Sequence, residues 1–177
     1  MNMKKIISFF IVACCAMCAT AAKVVWQIGV ADNSGTELAL GPSEYKKFLA
    51  HDFGYEDRYF LVGTSVDKND FPYVLPGPDD TWGGTWSTSG WRTHDANILF
   101  GIKKLPKHGK WKLVVDLVDA NPSRSVVKVM VNSAEKKFEI KGHSKGVLEG
   151  NLQDAKEQIL EFPISANDLK KGGNMVT

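Results

Sequence analysis

The chain has no cysteine beyond Cys18: all three, Cys14, Cys15 and Cys18, fall in its first 22 residues. From residue 23 onward this excludes thiol nucleophiles, Cys-ligated zinc and a disulfide framework. Stability must come from a packed core, which 177 residues permit. Net charge is lacking as well. The formal +2 arises from Lys4 and Lys5, and past them 20 basic residues balance 20 acidic ones, which leaves no electrostatic footprint for nucleic acid. The histidines outside the central tryptophan-rich stretch, His51, His108 and His143, lack the spacing of a metal site. Internal repeats, low-complexity tracts and interdomain linkers are missing too. The apolar run from Ile6 to about Ala13 is too short for a transmembrane span.

The opening "MNMKKIISFFIVACCAMCATAA" has a basic start, a short apolar run and then small residues. That pattern predicts a bacterial export signal over residues 1–22, hence a secreted, periplasmic or cell-surface protein. Ala19-Thr20-Ala21 offers a cleavage site near Ala21 or Ala22. Ile11-Val12-Ala13-Cys14 is the competing reading, a lipoprotein box with a lipid anchor at Cys14; simple cleavage is preferred because a signal ending at Ala13 would be unusually short.

The remainder, residues 23–177, reads as one domain of short strands between Gly, Pro, Asn and Asp punctuation. Strands are expected at Lys23–Val30, Asp57–Gly63, Ala96–Ile102, Lys110–Asp119, Ser125–Asn132, Lys136–Ile140 and Glu157–Ile164. In "KWKLVVDLV" the period of two puts Trp111, Leu113, Val115 and Leu117 on one face, which should be core. Trp26 should be core as well.

Two short helices are expected, one in "PSEYKKFLAHDFG" with Ser43 as N-cap, the other in "SANDLKKGG" with Ser165 as N-cap and Gly172 or Gly173 as stop. Many strands with little helix predict an all-β fold, an antiparallel β-sandwich of jelly-roll or galactose-binding-like type. After the Gly-Gly turn, Met175-Val176-Thr177 reads as the first residues of a further strand, so the domain is expected to be truncated at its C-terminus.

Between Phe71 and His94 runs "FPYVLPGPDDTWGGTWSTSGWRTH", with three of the five tryptophans in a segment of no regular period. Flat aromatic faces are what the apolar C–H face of a pyranose packs against, so Tyr73, Trp82, Trp86 and Trp91 are candidate ligand-binding residues. Asp79, Asp80, Arg92, His94 and Asn97 lie beside them as hydrogen-bonding partners for hydroxyls, and Arg92 can grip a uronate carboxylate in bidentate fashion. The competing reading folds one or more tryptophans inward as a plug for the sandwich. Arg92 and His94 can also be cast as charge neutraliser and base of a lyase, but one local cluster with no second base is thin support for catalysis. Asp79-Asp80 or Asp119-Ala120-Asn121 can hold a structural Ca²⁺, although turn chemistry explains them equally; otherwise no cofactor is implied.

The stretches "WQIGVADNSGTEL", "DRYFLVGTSVDKNDFPYV", "WKLVVDLVDA", "VKVMVN" and "LKKGGNMVT" resemble, in that order, the noncatalytic β-sandwich domain of rhamnogalacturonan lyases of polysaccharide lyase family 4. The resemblance runs from Val24 to the C-terminus and includes no catalytic signature. It implies a carbohydrate-binding-module-like accessory role toward a plant-type polysaccharide such as rhamnogalacturonan or pectin. Two alternatives stand beside it: a β-sandwich that only supports a catalytic neighbour, and a stand-alone lyase or hydrolase.

Overall fold

The computed structural model describes residues 23–39, 57–71, 95–105, 110–120, 125–142 and 151–177. They form strands β1 (Arg58–Leu61), β2 (Ala96–Ile102), β3 (Trp111–Leu117), β4 (Ser125–Val131), β5 (Ala134–Ile140), β6 (Gln158–Ile164) and β7 (Gly172–Val176), with one α-helical turn, α1 (Asp67–Asp70), and 3₁₀ turns at Leu152–Asp154 and Ala166–Asp168. One sheet has the order β1-β2-β7-β4-β5 and the other pairs β3 with β6. The protein is thus an all-β sandwich. All pairings are antiparallel except β1 with β2, where the long connection from Leu61 to Ala96 gives the chain room to cross over and return in the same direction.

The core lies where alternation places it. Along β3, Trp111, Leu113, Val115 and Leu117 face Ile164, Phe162, Leu160 and Gln158 of β6. Leu113 and Phe162 are buried against Phe100 and Ile102 of β2, Val129 and Val131 of β4, Val176 of β7 and Leu169, with Trp111 and Val115 packed on this cluster. The shared face expected for the "KWKLVVDLV" strand is therefore the one that meets the larger sheet. At the open side Lys136 points inward from β5. Its stem covers Phe138, the ammonium lying 4.6 Å from the ring centre, and its head donates to the Glu161 carbonyl on β6 at 2.8 Å, so an amphipathic side chain closes the rim.

Lys23–Val30, expected as a strand, forms none. Trp26 still packs inward, its ring centroid 5.3 Å from that of Phe100. The backbone polar groups find side chains instead of a ladder: Gly29 N–H donates to Asp67 and Val30 N–H to Glu37. Gly29 sits at φ +72°, and a Cβ there would lie 2.8 Å from the Glu37 carboxylate, so the bend needs glycine.

The expected helix after Ser165 shrinks to a 3₁₀ turn, Ala166–Asp168, although its capping is as foreseen: Ser165 Oγ accepts from Asn167 N–H and the Asp168 carboxylate accepts from Ser165 N–H. Gly172 and Gly173 do not stop a helix. They open β7, which pairs with β2 from Ile102↔Gly172 to Ile98↔Val176 and meets β4 at Val131↔Val176. The segment around Ser43, the other expected helix, lies outside the described residues.

Candidate functional site

Eight of the nine expected ligand-binding residues, Tyr73, Asp79, Asp80, Trp82, Trp86, Trp91, Arg92 and His94, lie outside the described residues. The ninth, Asn97, is on β2 and only 6% exposed, and its Oδ1 accepts from the Thr177 hydroxyl at 2.8 Å. It thus ties β2 to the residue following β7.

Asn97 also marks a face. Residues 97, 99 and 101 of β2 alternate with the core residues Ile98, Phe100 and Ile102, so they point away from the β3–β6 sheet. Register with the neighbouring strands then builds rows across the outer surface. Tyr59, Asn97 and Thr177 lie in one row; Leu61, Leu99 and Met175 lie in the next; Gly101 and Gly173 face each other beyond it. Tyr59, Leu61 and Met175 are exposed. A shallow depression of about 430 Å³ runs over the apolar row and the glycine pair, bounded by Asn132 at the β4–β5 turn.

Under this surface, two amides fix the geometry. Asn174, 5% exposed, accepts from Lys170 N–H (2.8 Å) and donates to the carbonyls of Lys170 (2.9 Å) and Gly172 (3.1 Å). Asn132, held at φ +52°, a conformation asparagine tolerates, donates to the Asp168 carbonyl and to Asn174 Oδ1, and accepts from Met175 N–H. These bonds lock the β4–β5 turn, the 3₁₀ turn and β7 into one unit. No sequence period signals them, because both residues look like ordinary turn formers.

Among the described residues, the smaller sheet carries the one strongly perturbed acid. Asp116, on the outward face of β3, is pushed up to about 6 by lost hydration, then by the charge of Glu157 and its hydrogen bond. Nearby, the Asp119 carboxylate accepts from Lys156 N–H at 3.4 Å. Among the described residues no three His, Cys, Asp or Glu side chains converge as a metal cage, and no helix is long and apolar enough to cross a membrane.

The residues that carry the family resemblance have structural tasks here. In "GTSVDKND", Gly63 turns at φ +88°, Ser65 Oγ accepts from Leu61 N–H, and Asp70 caps Val66 N–H. Asp67 holds Gly29, while Lys68 reaches the Thr36 carbonyl at 2.9 Å. α1 is therefore a clasp between β1 and the N-terminal segment.

Two packed sheets and scarcely any helix among the described residues define the class: a β-sandwich module. A family model, the CBM-like domain III of polysaccharide lyase family 4, matches residues 24–177, and the chain belongs to that family. A search of curated proteins found no match.

Proposed function

We propose that the protein is an exported carbohydrate-binding accessory module acting beside polysaccharide lyases on rhamnogalacturonan or pectin, without chemistry of its own. The match of residues 24–177 to a CBM-like domain carries this reading. The ligand-binding residues are those the sequence singles out: Tyr73, Trp82, Trp86 and Trp91 as stacking faces, with Asp79, Asp80, Arg92, His94 and Asn97 as polar partners. Stacking one sugar ring on one indole contributes on the order of 1–2 kcal/mol, so oligosaccharide affinity is expected in the millimolar to high-micromolar range. Arg92 favours acidic glycans, an effect that fades as salt rises.

Calorimetric titration of rhamnogalacturonan oligosaccharides into wild type, Trp86→Ala, Trp91→Ala and Arg92→Ala tests the assignment, with a thermal melt of each variant. Binding lost with an unchanged melt supports it. Absence of binding in the wild type, with melts lowered by several degrees in the tryptophan variants, favours the second reading, a module that only supports a neighbour. The burial of Asn97 and its bond to Thr177 favour that second reading for this one residue.

A further inference from the structure

The larger sheet is complete at one end of β7 and gapped at the other. β7 pairs with β2 from Ile102 to Ile98 but meets β4 only at its tip, where Val131 faces Val176 and Met130 exchanges both backbone hydrogen bonds with Thr177, at 2.7 and 2.9 Å. β4 runs on to Ser125, paired with β5 along its whole length, and β2 begins two residues earlier than its pairing with β7, at Ala96. Strands in a sheet lie about 4.8 Å apart, so past Thr177 the strands β2 and β4 bracket a gap one strand wide.

The pairing fixes which backbone groups line that gap. Met130 turns its N–H and C=O toward β7, and alternation in an antiparallel ladder turns those of Lys128 and Val126 the same way. On β2, the Leu99 carbonyl accepts from Val62 on the β1 side, which leaves Ala96 directed at the gap. Among the described residues none pairs with these groups of Val126 and Lys128. Two edges that face each other across one strand's width, with donors and acceptors in alternation, are matched by extended polypeptide backbone; a sugar ring or a helix does not carry groups at that spacing on both sides.

The side chains around the gap set the sequence it takes. Inward lie Val129, only 4% exposed, and Val127, which packs on the core, beside Ala96. Outward stand Lys128 on one side and Asp95, which precedes β2, on the other, so a charge of either sign between them meets one like neighbour.

We propose that this gap is a docking site for an extended segment of another polypeptide, about five residues long, antiparallel to β4, with apolar side chains inward and neutral polar ones outward. The segment continues the line of β7 and bonds Ala96 on one side and Lys128 and Val126 on the other. The inference is independent of the carbohydrate reading: it adds a protein partner to the module.

The test titrates the full chain into a capped, fluorescently labelled peptide of alternating valine and threonine, read by anisotropy, with amide hydrogen exchange in parallel. The peptide should bind and slow exchange at Val126 and Lys128. With valine inward, the threonine N–H groups face β4, so N-methylation at the threonines should weaken binding about tenfold or more. Absence of peptide binding, equal affinity of the methylated peptide, or binding without protection at those two amides each overturns the proposal. Two further measurements cover the other occupants. Self-association by light scattering that the peptide does not displace assigns the gap to a second copy. A chain lengthened past Thr177 by the same residues, protected at Val126 and Lys128 while the free peptide stays unbound, assigns it to a strand in cis. Either result overturns the partner assignment, whereas failure of glycan titrations leaves it untouched.

Discussion

Replacing Asn174 by alanine should cost about 2–4 kcal/mol. The side chain is nearly inaccessible and serves four bonds, from Lys170 N–H and Asn132 Nδ2 and to the Lys170 and Gly172 carbonyls. Each buried group left without a partner costs about 1–3 kcal/mol. Water can reach the exposed stretch around Lys170 and Lys171 and recover part of the loss, which is why four broken bonds do not sum in full. Urea unfolding followed by tryptophan fluorescence reads the effect as a lowered midpoint at unchanged slope. Asn174→Asp is the sharper probe. Aspartate keeps the acceptor for Lys170 N–H, but its second oxygen faces two carbonyls to which asparagine donated. The charged form is disfavoured in the folded state, so the folded pKa rises above the unfolded value. The variant should then be most stable at low pH and lose stability as pH rises. An Asn174→Ala midpoint within about 0.5 kcal/mol of wild type would refute this account of the amide pair.

Asp116 gives a related but milder pH dependence. Its folded pKa lies above 3.8, at about 6, so the folded state binds the extra proton between those values and stability should rise as pH falls through that window. Solvent screening at this exposed position holds the effect to under about 1 kcal/mol; Asp116→Asn should raise the melt at pH 8 and flatten its dependence between pH 4 and 7, and an unaltered profile would rule out the Asp116–Glu157 coupling. At Trp111 the indole N–H is buried with no acceptor among the described residues. Trp111→Phe should therefore stay within about 1 kcal/mol of wild type, since the orphaned donor it removes offsets the lost contact area, whereas Trp111→Ala should cost about 3 kcal/mol; equal losses in the two would show that the N–H is satisfied. Finally, the export proposal expects the mature protein to begin at Ala22 or Lys23 when its N-terminus is sequenced, and a cytoplasmic product starting at Met1 would contradict it.

Strands were legible in the sequence where burial imposes a period on side chains. Ala96–Ile102 was located to the residue, and β3, β4 and β6 to within one or two, because each sends alternate residues into the same core. β7 was not, since Gly172-Gly173 carries the local signature of a helix stop; tertiary pairing with β2 makes it a strand despite its composition. Lys23–Val30 failed in the opposite sense. Its β-rich residues suggest a ladder, but Asp67 and Glu37, one of them 38 residues away, take the backbone donors of Gly29 and Val30. The outer face of β1, β2 and β7 was invisible for a related reason: it exists only through the register that sets Gly101 against Gly173 and Leu99 against Met175. Of the expected ligand residues, Asn97 alone falls in the described part, as a buried tie to Thr177, whereas the tryptophan segment carries its own signal in composition, independent of register.

The place of β7 also bears on how the fold is reached. The β4–β5 hairpin closes through a two-residue turn and can form early, and β1 with β2 makes a separate pair. Among the described strands these halves of the sheet meet through β7, whose partner β2 lies some seventy residues earlier in the chain. Closing so long a loop is entropically slow. The two halves thus wait for a strand that arrives late, and until it docks each keeps an unsatisfied edge toward the other.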